Sequence, residues 1–419
     1  MRSIDRLLGR ISNDKYFRLS LFIIIFIITS SYFLFRFSIL HRGYEEFFPG
    51  FDFTVFYNAA KAFLNNAEVY PEYKYPPLSI IFVIPFAYLH FDQAFLLMCL
   101  LNLLSIFVIS FLILKILYHY NTYLSFWEKS LLPFAIFVFF PVTKSFYGGQ
   151  INIIILLLVT LFYYFFIKNR NLYANLSLLL ATIIKVWPLI LIVFCLFKGK
   201  KKFVATFISM LSISSIISIL LFGMHSHIRF IETLMEFQRG STTYLNISLS
   251  SMFLRFFEFF NIPHQDVFSI IFTIFKIFLI ILILYYLYVI SFNGRLFTSK
   301  DWEILVFSLM ITLTLVFSNM TWYYYGTFLV LPYILCIYVL NLNGVEKLLI
   351  SASIILFSLY PLFIPSGVNL VLTMIGLDNF KLYYTYVYTL SPLVYGPLLF
   401  LGFILYKLSR SRKELEQRC

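Results

Sequence analysis

The chain has 419 residues, of which 61% are hydrophobic and only 12% charged, with a mean hydropathy of +0.89. A globular surface needs about 25% charged residues, so soluble enzymes, disordered scaffolds and secreted disulfide modules are excluded, and lipid is the main solvent. The net charge of +13 lies in short clusters between apolar runs rather than along one basic stripe, which fits orientation in a membrane and not nucleic-acid binding.

The first 18 residues form a basic arm with Arg2, Arg6, Arg10, Lys15 and Arg18. The apolar run 19–40 is long enough to cross about 30 Å of hydrocarbon. It has no small-x-small cleavage site, so it is expected to stay as a first span with the arm in the cytoplasm. Further apolar helices are predicted over 92–117, 130–146, 150–167, 172–184, 187–198, 203–222, 266–290, 303–319, 326–341, 347–366 and 389–408. The expected fold class is an all-α integral membrane protein: a bundle of about 12 transmembrane helices, both termini cytoplasmic, with a long first extracytoplasmic loop carrying short interfacial helices. Residues 19–408 form one transmembrane domain between the basic arm 1–18 and a basic tail 409–419. Pro133, Pro141, Pro188, Pro332 and Pro361 are expected to kink or end helices.

This topology puts roughly two thirds of the lysines and arginines on the inside, as positive-inside orientation requires, including Lys198, Lys200, Lys201 and Lys202. Residues 77–90 are apolar but short, and counting them as a span would invert every later loop. They are read as re-entrant or interfacial. Two long outer loops result, 41–91 and 223–265. Shorter outer turns fall at 143–150, 185–188 and 318–325, and a site is expected on this face. No solenoid repeat or inverted repeat is visible.

Asp52 stands among aromatics ahead of a short helix predicted over 54–65. Partial desolvation would raise its pKa toward that of a general base; alternatively it caps the helix by accepting backbone N–H bonds. Lys185 lies beside Pro188 at the outer end of a short helix, where it can meet a leaving phosphate or snorkel to the headgroups. Arg255 and Lys74 are weaker phosphate candidates that could equally bind lipid headgroups. Gln150 and Asn152 can bond sugar hydroxyls or neighbouring helices, and Asn246 and Ser248 carry the same two readings. Trp322 is a sugar platform or part of an aromatic belt.

Cys99, Cys195, Cys336 and Cys419 are too far apart for a metal or disulfide framework. His225 and His227 lack a third ligand. Lys276 falls mid-span and needs a partner. Asp301 and Glu303 are expected to open a helix. There is no Walker loop and no Asp-x-Asp in an outer loop, so neither ATP nor a metal cofactor is expected.

Several of these residues recur in an ordered set. Asp52 precedes Ala59-Ala60, Tyr70 and Tyr75-Pro76-Pro77-Leu78. Then come Gly149-Gln150-Ile151-Asn152, Lys185-Val186-Trp187-Pro188, Asn246-Ile247-Ser248-Leu249 with Arg255, and Ser318-Asn319-Met320-Thr321-Trp322. From about residue 50 to 335 the chain resembles glycosyltransferase family 87, integral membrane enzymes of the GT-C type. The resemblance implies a hexose, mannose first, carried on a polyprenyl-phosphate donor on the outer leaflet and passed with inversion to a glycolipid or glycan acceptor. It makes Asp52 the base on the acceptor hydroxyl. The chain departs from the family where a proline would stand at Asn319 and a histidine would follow Trp322. Tyr323, Tyr324 and Tyr325 follow instead, so a tyrosine hydroxyl such as that of Tyr324 must replace the histidine. The competing readings are a multi-pass transporter or lipid-linked sugar flippase, and a surface polysaccharide polymerase or ligase.

Overall fold

The computed structural model describes residues 17–21, 23–24, 26–27, 49–70, 72–238, 242–243, 246–260, 265–291, 299–358 and 394–416. Among them the chain is helical, with no strand and one isolated bridge between Asn246 and Trp322. The predicted first span 19–40, the later part of 347–366, Pro361 and the start of 389–408 lie largely outside the described residues.

The chain divides into two compact units, one of Glu45–Phe137 and Val142–Arg239, the other of Met1–Tyr44, Val138–Pro141 and Gly240–Cys419. The first begins with α1 (Phe53–Leu64) and a run of short helical turns, Pro77–Tyr88. Helices α2 (Phe91–His119), α3 (Phe126–Val138), α4 (Phe140–Tyr147), α5 (Asn152–Ile167) and α6 (Asn171–Ile184) follow. A 3-10 turn at Trp187–Ile190 then leads into α7 (Leu191–Phe197), before α8 (Lys201–Gln238).

Helices α2, α5 and α6 make the core of this unit. Ala174, Leu178 and Ala181 lie buried on one face of α6, and small side chains there let helices approach closely where lipid supplies no hydrophobic drive. Phe162, Phe166, Phe194 and Phe203 interlock at centroid distances of 5.0 to 6.4 Å. The helix ends are also legible. Asn66, Asn121 and Asn169 adopt positive φ just past α1, α2 and α5, the left-handed closure that asparagine tolerates. Ser125 and Glu128 open α3 by bonding each other's backbone N–H, a capping box.

Residues 77–88 bury Ile80, Val83, Phe86 and Ala87 while exposing Ile81, Phe82 and Tyr88. The Phe86 ring meets Phe53 of α1 edge-on at 5.4 Å. This one-sided burial suits a segment lying against protein rather than a free span.

The second unit contains α9 (Leu249–Phe259), α10 (Gln265–Ser291), α11 (Lys300–Phe317), a 3-10 turn at Tyr323–Leu329, α12 (Val330–Val339), α13 (Gly344–Ser358) and α14 (Tyr395–Glu416). Helix α11 is buried on all sides from Ile304 to Leu313, so it is this unit's central helix. Asp301 and Glu303 do open it, with Ser299 Oγ accepting Trp302 N–H. Helices α13 and α14 are pinned by Glu346, fully buried, which accepts from Lys407 at 3.1 Å and from Arg410 at 3.4 Å.

Among the described residues, three helices are long and apolar enough to cross a membrane: Phe91–His119, Lys201–Glu236 and Ile270–Val289. The pair α3 and α4, bent by 62°, has the length and composition of a broken span or a re-entrant loop. That bend replaces the continuous helix predicted over 130–146. Pro133 sits inside α3, whereas the break falls just ahead of Pro141, which takes a place in the first turn of α4, where its missing N–H has no helical partner to lose. The larger correction concerns 223–265. Helix α8 resumes after Gly223 and runs to Gln238, and α9 fills 249–259, so much of the expected outer loop is helical. The apolar period continues past Gly223 and was hidden by the charges beside it.

Candidate active site

Loop one meets the Gly148-Gly149 turn within the first unit. Phe53 N–H, the first orphan donor of α1, is taken by Gly148 C=O at 3.0 Å, and Gly50 N–H by Tyr147 C=O at 3.1 Å. Asp52 occupies the capping position of α1, yet its side chain makes no capping bond. With the carbonyl of Gly148 doing that work, the carboxylate is free to face elsewhere.

It faces three side chains. Gln150 donates a hydrogen bond to it, and the positive charges of Lys144 and Lys185 act on it. Burial pushes the Asp52 carboxyl above the ordinary carboxylate range, and these three groups pull it partly back. The residue keeps part of its surface accessible, so the group is dehydrated without being sealed.

Glycine is required for this approach. A Cβ at Gly148 would lie 2.6 Å from Asp52 Oδ2. Gly149 has φ +67°, and a Cβ there would lie 2.7 Å from Phe53 Cβ.

Lys185 ends α6 and leaves the helix in extended conformation. Its ammonium donates to Asn152 Oδ1 at 3.0 Å and lies 5.6 Å from the Tyr75 ring centre. Part of its surface is open although protein atoms crowd the charged end. That crowding pulls the ammonium down to about 7, against the pull of the Asp52 charge. Because lysine only donates, Asn152 must present its oxygen to Lys185 and its amide Nδ2 elsewhere. That Nδ2 is buried and has no partner among the described residues. Such an atom is costly to leave unmet. Tyr75 rests on Phe56 at 4.9 Å and Tyr73 at 5.3 Å, and its carbonyl takes the Tyr70 hydroxyl at 2.8 Å. Lys74 is exposed.

Asp52, Tyr75, Gln150, Asn152 and Lys185 thus belong to one cluster. Lys144, Asn102 and Gly148 join it and were not singled out from sequence. Asn102, fully buried on α2, donates to Gln150 C=O at 3.1 Å and fixes the turn. A lone asparagine within an apolar run was the available signal; Lys144 could have been found as a cation in the same predicted outer turn as Gln150.

The remaining predicted residues lie in the second unit and knit its backbone. Asn246 Oδ1 accepts from Ser248 N–H at 3.1 Å and Thr321 N–H at 2.9 Å. Ser248 Oγ donates to Asn319 C=O at 3.1 Å and caps α9 by accepting Ser251 N–H. Arg255, 1% exposed, donates to Thr243 C=O, Asn246 C=O and Ser251 Oγ at 2.9, 3.0 and 2.6 Å. Lys276 finds the partners it needed in Ser250 and Asn319. Trp322 and Tyr324 are half-exposed and stacked, ring centres 6.3 Å apart and planes 10° from parallel; Tyr323 is buried.

Among the described residues the chain is helical with several membrane-length apolar helices, and its first unit holds a dehydrated carboxylate facing two lysines. Residues 73–319, more than half of the chain, match the sequence profile of Glycosyltransferase family 87. The chain belongs to that family and is a membrane glycosyltransferase. The matched stretch takes in Gln150, Asn152, Lys185 and Arg255; Asp52 precedes it, and Trp322 and Tyr324 follow it. No curated protein matches the chain.

Proposed function

We propose that the protein transfers a hexose, mannose first, from a polyprenyl-phosphate donor to a glycolipid or glycan acceptor at the outer face of the cell membrane. The reading includes about twelve crossings with both termini cytoplasmic, and needs neither nucleotide nor metal cofactor. Asp52 is the general base. As the acceptor oxygen attacks the anomeric carbon, its proton passes to the Asp52 carboxylate. The bond from that carbon to the phosphate oxygen breaks with inversion, and the polyprenyl phosphate leaves with the electron pair. Lys185 meets the charge on the phosphate, and Asn152 orients Lys185 with its oxygen while offering its Nδ2–H to the donor. Tyr75 is a flat wall for the sugar, and Gln150 holds the base in place.

One observation carries this reading: Asp52 sits where a helix cap belongs and does not cap, so its dehydration is not explained by helix formation. The test is transfer from radiolabelled polyprenyl-phosphate mannose to a membrane lipid extract by protein in lipid, comparing wild type with Asp52→Asn. General-base loss costs roughly 10²- to 10⁴-fold. Full transfer by Asp52→Asn would sink the assigned role. Solute flux with no labelled product from any lipid-linked sugar would replace transfer by transport.

A further inference from the structure

The unassigned feature is the far part of α8. Residues 201–222 rise about 33 Å as a helix, enough to cross the hydrocarbon core. At Gly223 the backbone takes φ 72° and ψ 159°, which no helix contains. The break is built into the chain. His227 Nδ1 faces Gly223 C=O at 2.8 Å and His227 Nε2 faces Ser218 Oγ at 2.9 Å. Since a carbonyl only accepts, Nδ1–H donates to Gly223 C=O, and Nε2 shares a hydrogen bond with the Ser218 hydroxyl. The imidazole therefore clamps the two halves across the break.

Beyond it, Met224, Ile228, Ile231 and Met235 are 60%, 50%, 55% and 66% exposed. At 100° per residue they fall within an arc of about 60°. Thr233, 3% exposed, lies on the opposite side and marks the face packed on protein. The same unit's loop one is tied to this arm: Arg229 bridges Glu68 at 2.8 Å and Glu232 at 3.0 Å, and Tyr70 meets Phe230 at 6.2 Å.

We propose that 224–238 is an in-plane membrane anchor, its methionine and isoleucine stripe lying in the headgroup–acyl boundary of the outer leaflet. The occupant is the bilayer, because the stripe continues the lipid-facing surface of the same helix, where Ile213, Ile216, Ile217, Leu220 and Leu221 are exposed. The arm's charged residues are Arg229, Glu232 and Glu236, with His225 and His227 beside them. This is not a basic face, so attachment comes from apolar area and not from anionic lipid. Through Arg229 and Phe230, the anchor sets the depth of loop one, which begins α1 with Asp52.

The test places a nitroxide label at 224, 228, 231 and 235, and at 232 and 236, in full-length protein in nanodiscs. Cys99 and Cys419 are replaced; Cys195 and Cys336 are fully buried and stay. Collision with oxygen is compared with collision with a water-soluble nickel chelate. The stripe should favour oxygen at one common depth, with 232 and 236 favouring nickel, equally in neutral and anionic lipid. An upright helix would instead spread 224 and 235 over about 16 Å of depth, which overturns the proposal. So would nickel access along the stripe, or low access to both reagents, which would mean cover by a second copy or by another part of the chain. Unsubstituted protein labelled by a phospholipid with a diazirine near the headgroup end of its acyl chain gives an independent reading. Adducts should map to 224–235, and their absence there equally refutes it.

Discussion

The closest steric relation at the proposed base is also its most direct handle. In Gly148→Ala a methyl would stand 2.6 Å from Asp52 Oδ2, with Lys144 C=O at 3.3 Å behind it. Ordinary non-bonded separations are about 3.5 Å or more, so the carboxylate must retreat by roughly 0.9 Å. A misplacement of about 1 Å at a reacting group costs on the order of 10²-fold in rate, or about 2.7 kcal/mol of barrier. Gly148 is not in the left-handed region, so alanine carries no backbone penalty there, and stability should change by less than about 1 kcal/mol. Transfer rate and thermal unfolding in the same lipid preparation check both halves. The change must also act through Asp52: added to Asp52→Asn, Gly148→Ala should cost almost nothing further. Full activity in Gly148→Ala, or an undiminished effect in the Asp52→Asn background, refutes the reasoning. Gly149→Ala is the contrast, since positive φ and the contact with Phe53 should lower stability by about 1–3 kcal/mol.

Three further outcomes are expected. The rate should require Asp52 ionised and Lys185 protonated, so kcat/KM rises with pH through the raised Asp52 value and falls above about 7 as Lys185 loses its proton; Lys185→Arg should move the alkaline fall well upward, and an unmoved limb assigns it to another group. Arg255→Lys should lower the melting temperature more than it changes KM for donor, because the guanidinium binds backbone carbonyls; a stable variant with a large KM increase would return Arg255 to the substrate. Glu346→Ala strands buried Lys407 and should cost about 3–5 kcal/mol, whereas Arg410→Ala, at the more exposed partner, should cost under about 1 kcal/mol; chemical denaturation in mild detergent compares them.

The helical class and most helix positions were legible because apolar runs are dictated by lipid. The expected helices 54–65, 92–117 and 172–184 are observed as 53–64, 91–119 and 171–184. What sequence could not supply was direction within a run. One helix is expected to end at 222, yet it resumes after Gly223, and another to run through Phe139, where it breaks. Only the backbone shows that α8 carries a kink at a non-helical Gly223 and that α3 and α4 are bent by 62°.

Site residues were harder to sort because one residue type serves two ends. Asn152, Gln150, Asn246 and Ser248 are equivalent as letters: polar groups in an apolar chain that must find partners. Their hydrogen-bond accounts separate them. Asn246 and Ser248 each hold backbone groups on two sides, as structural polar groups in a dry interior must. Asn152 spends its oxygen on Lys185 and leaves a buried donor unmatched among the described residues, next to a lysine and an aspartate each shifted toward neutrality by burial. A fold gains nothing by holding these three costs together at one place. A substrate that brings a phosphate to the lysine, an oxygen to the amide and a hydroxyl proton to the carboxylate would relieve all three at once, which is why the catalytic assignment falls on this cluster and not on the better-bonded one.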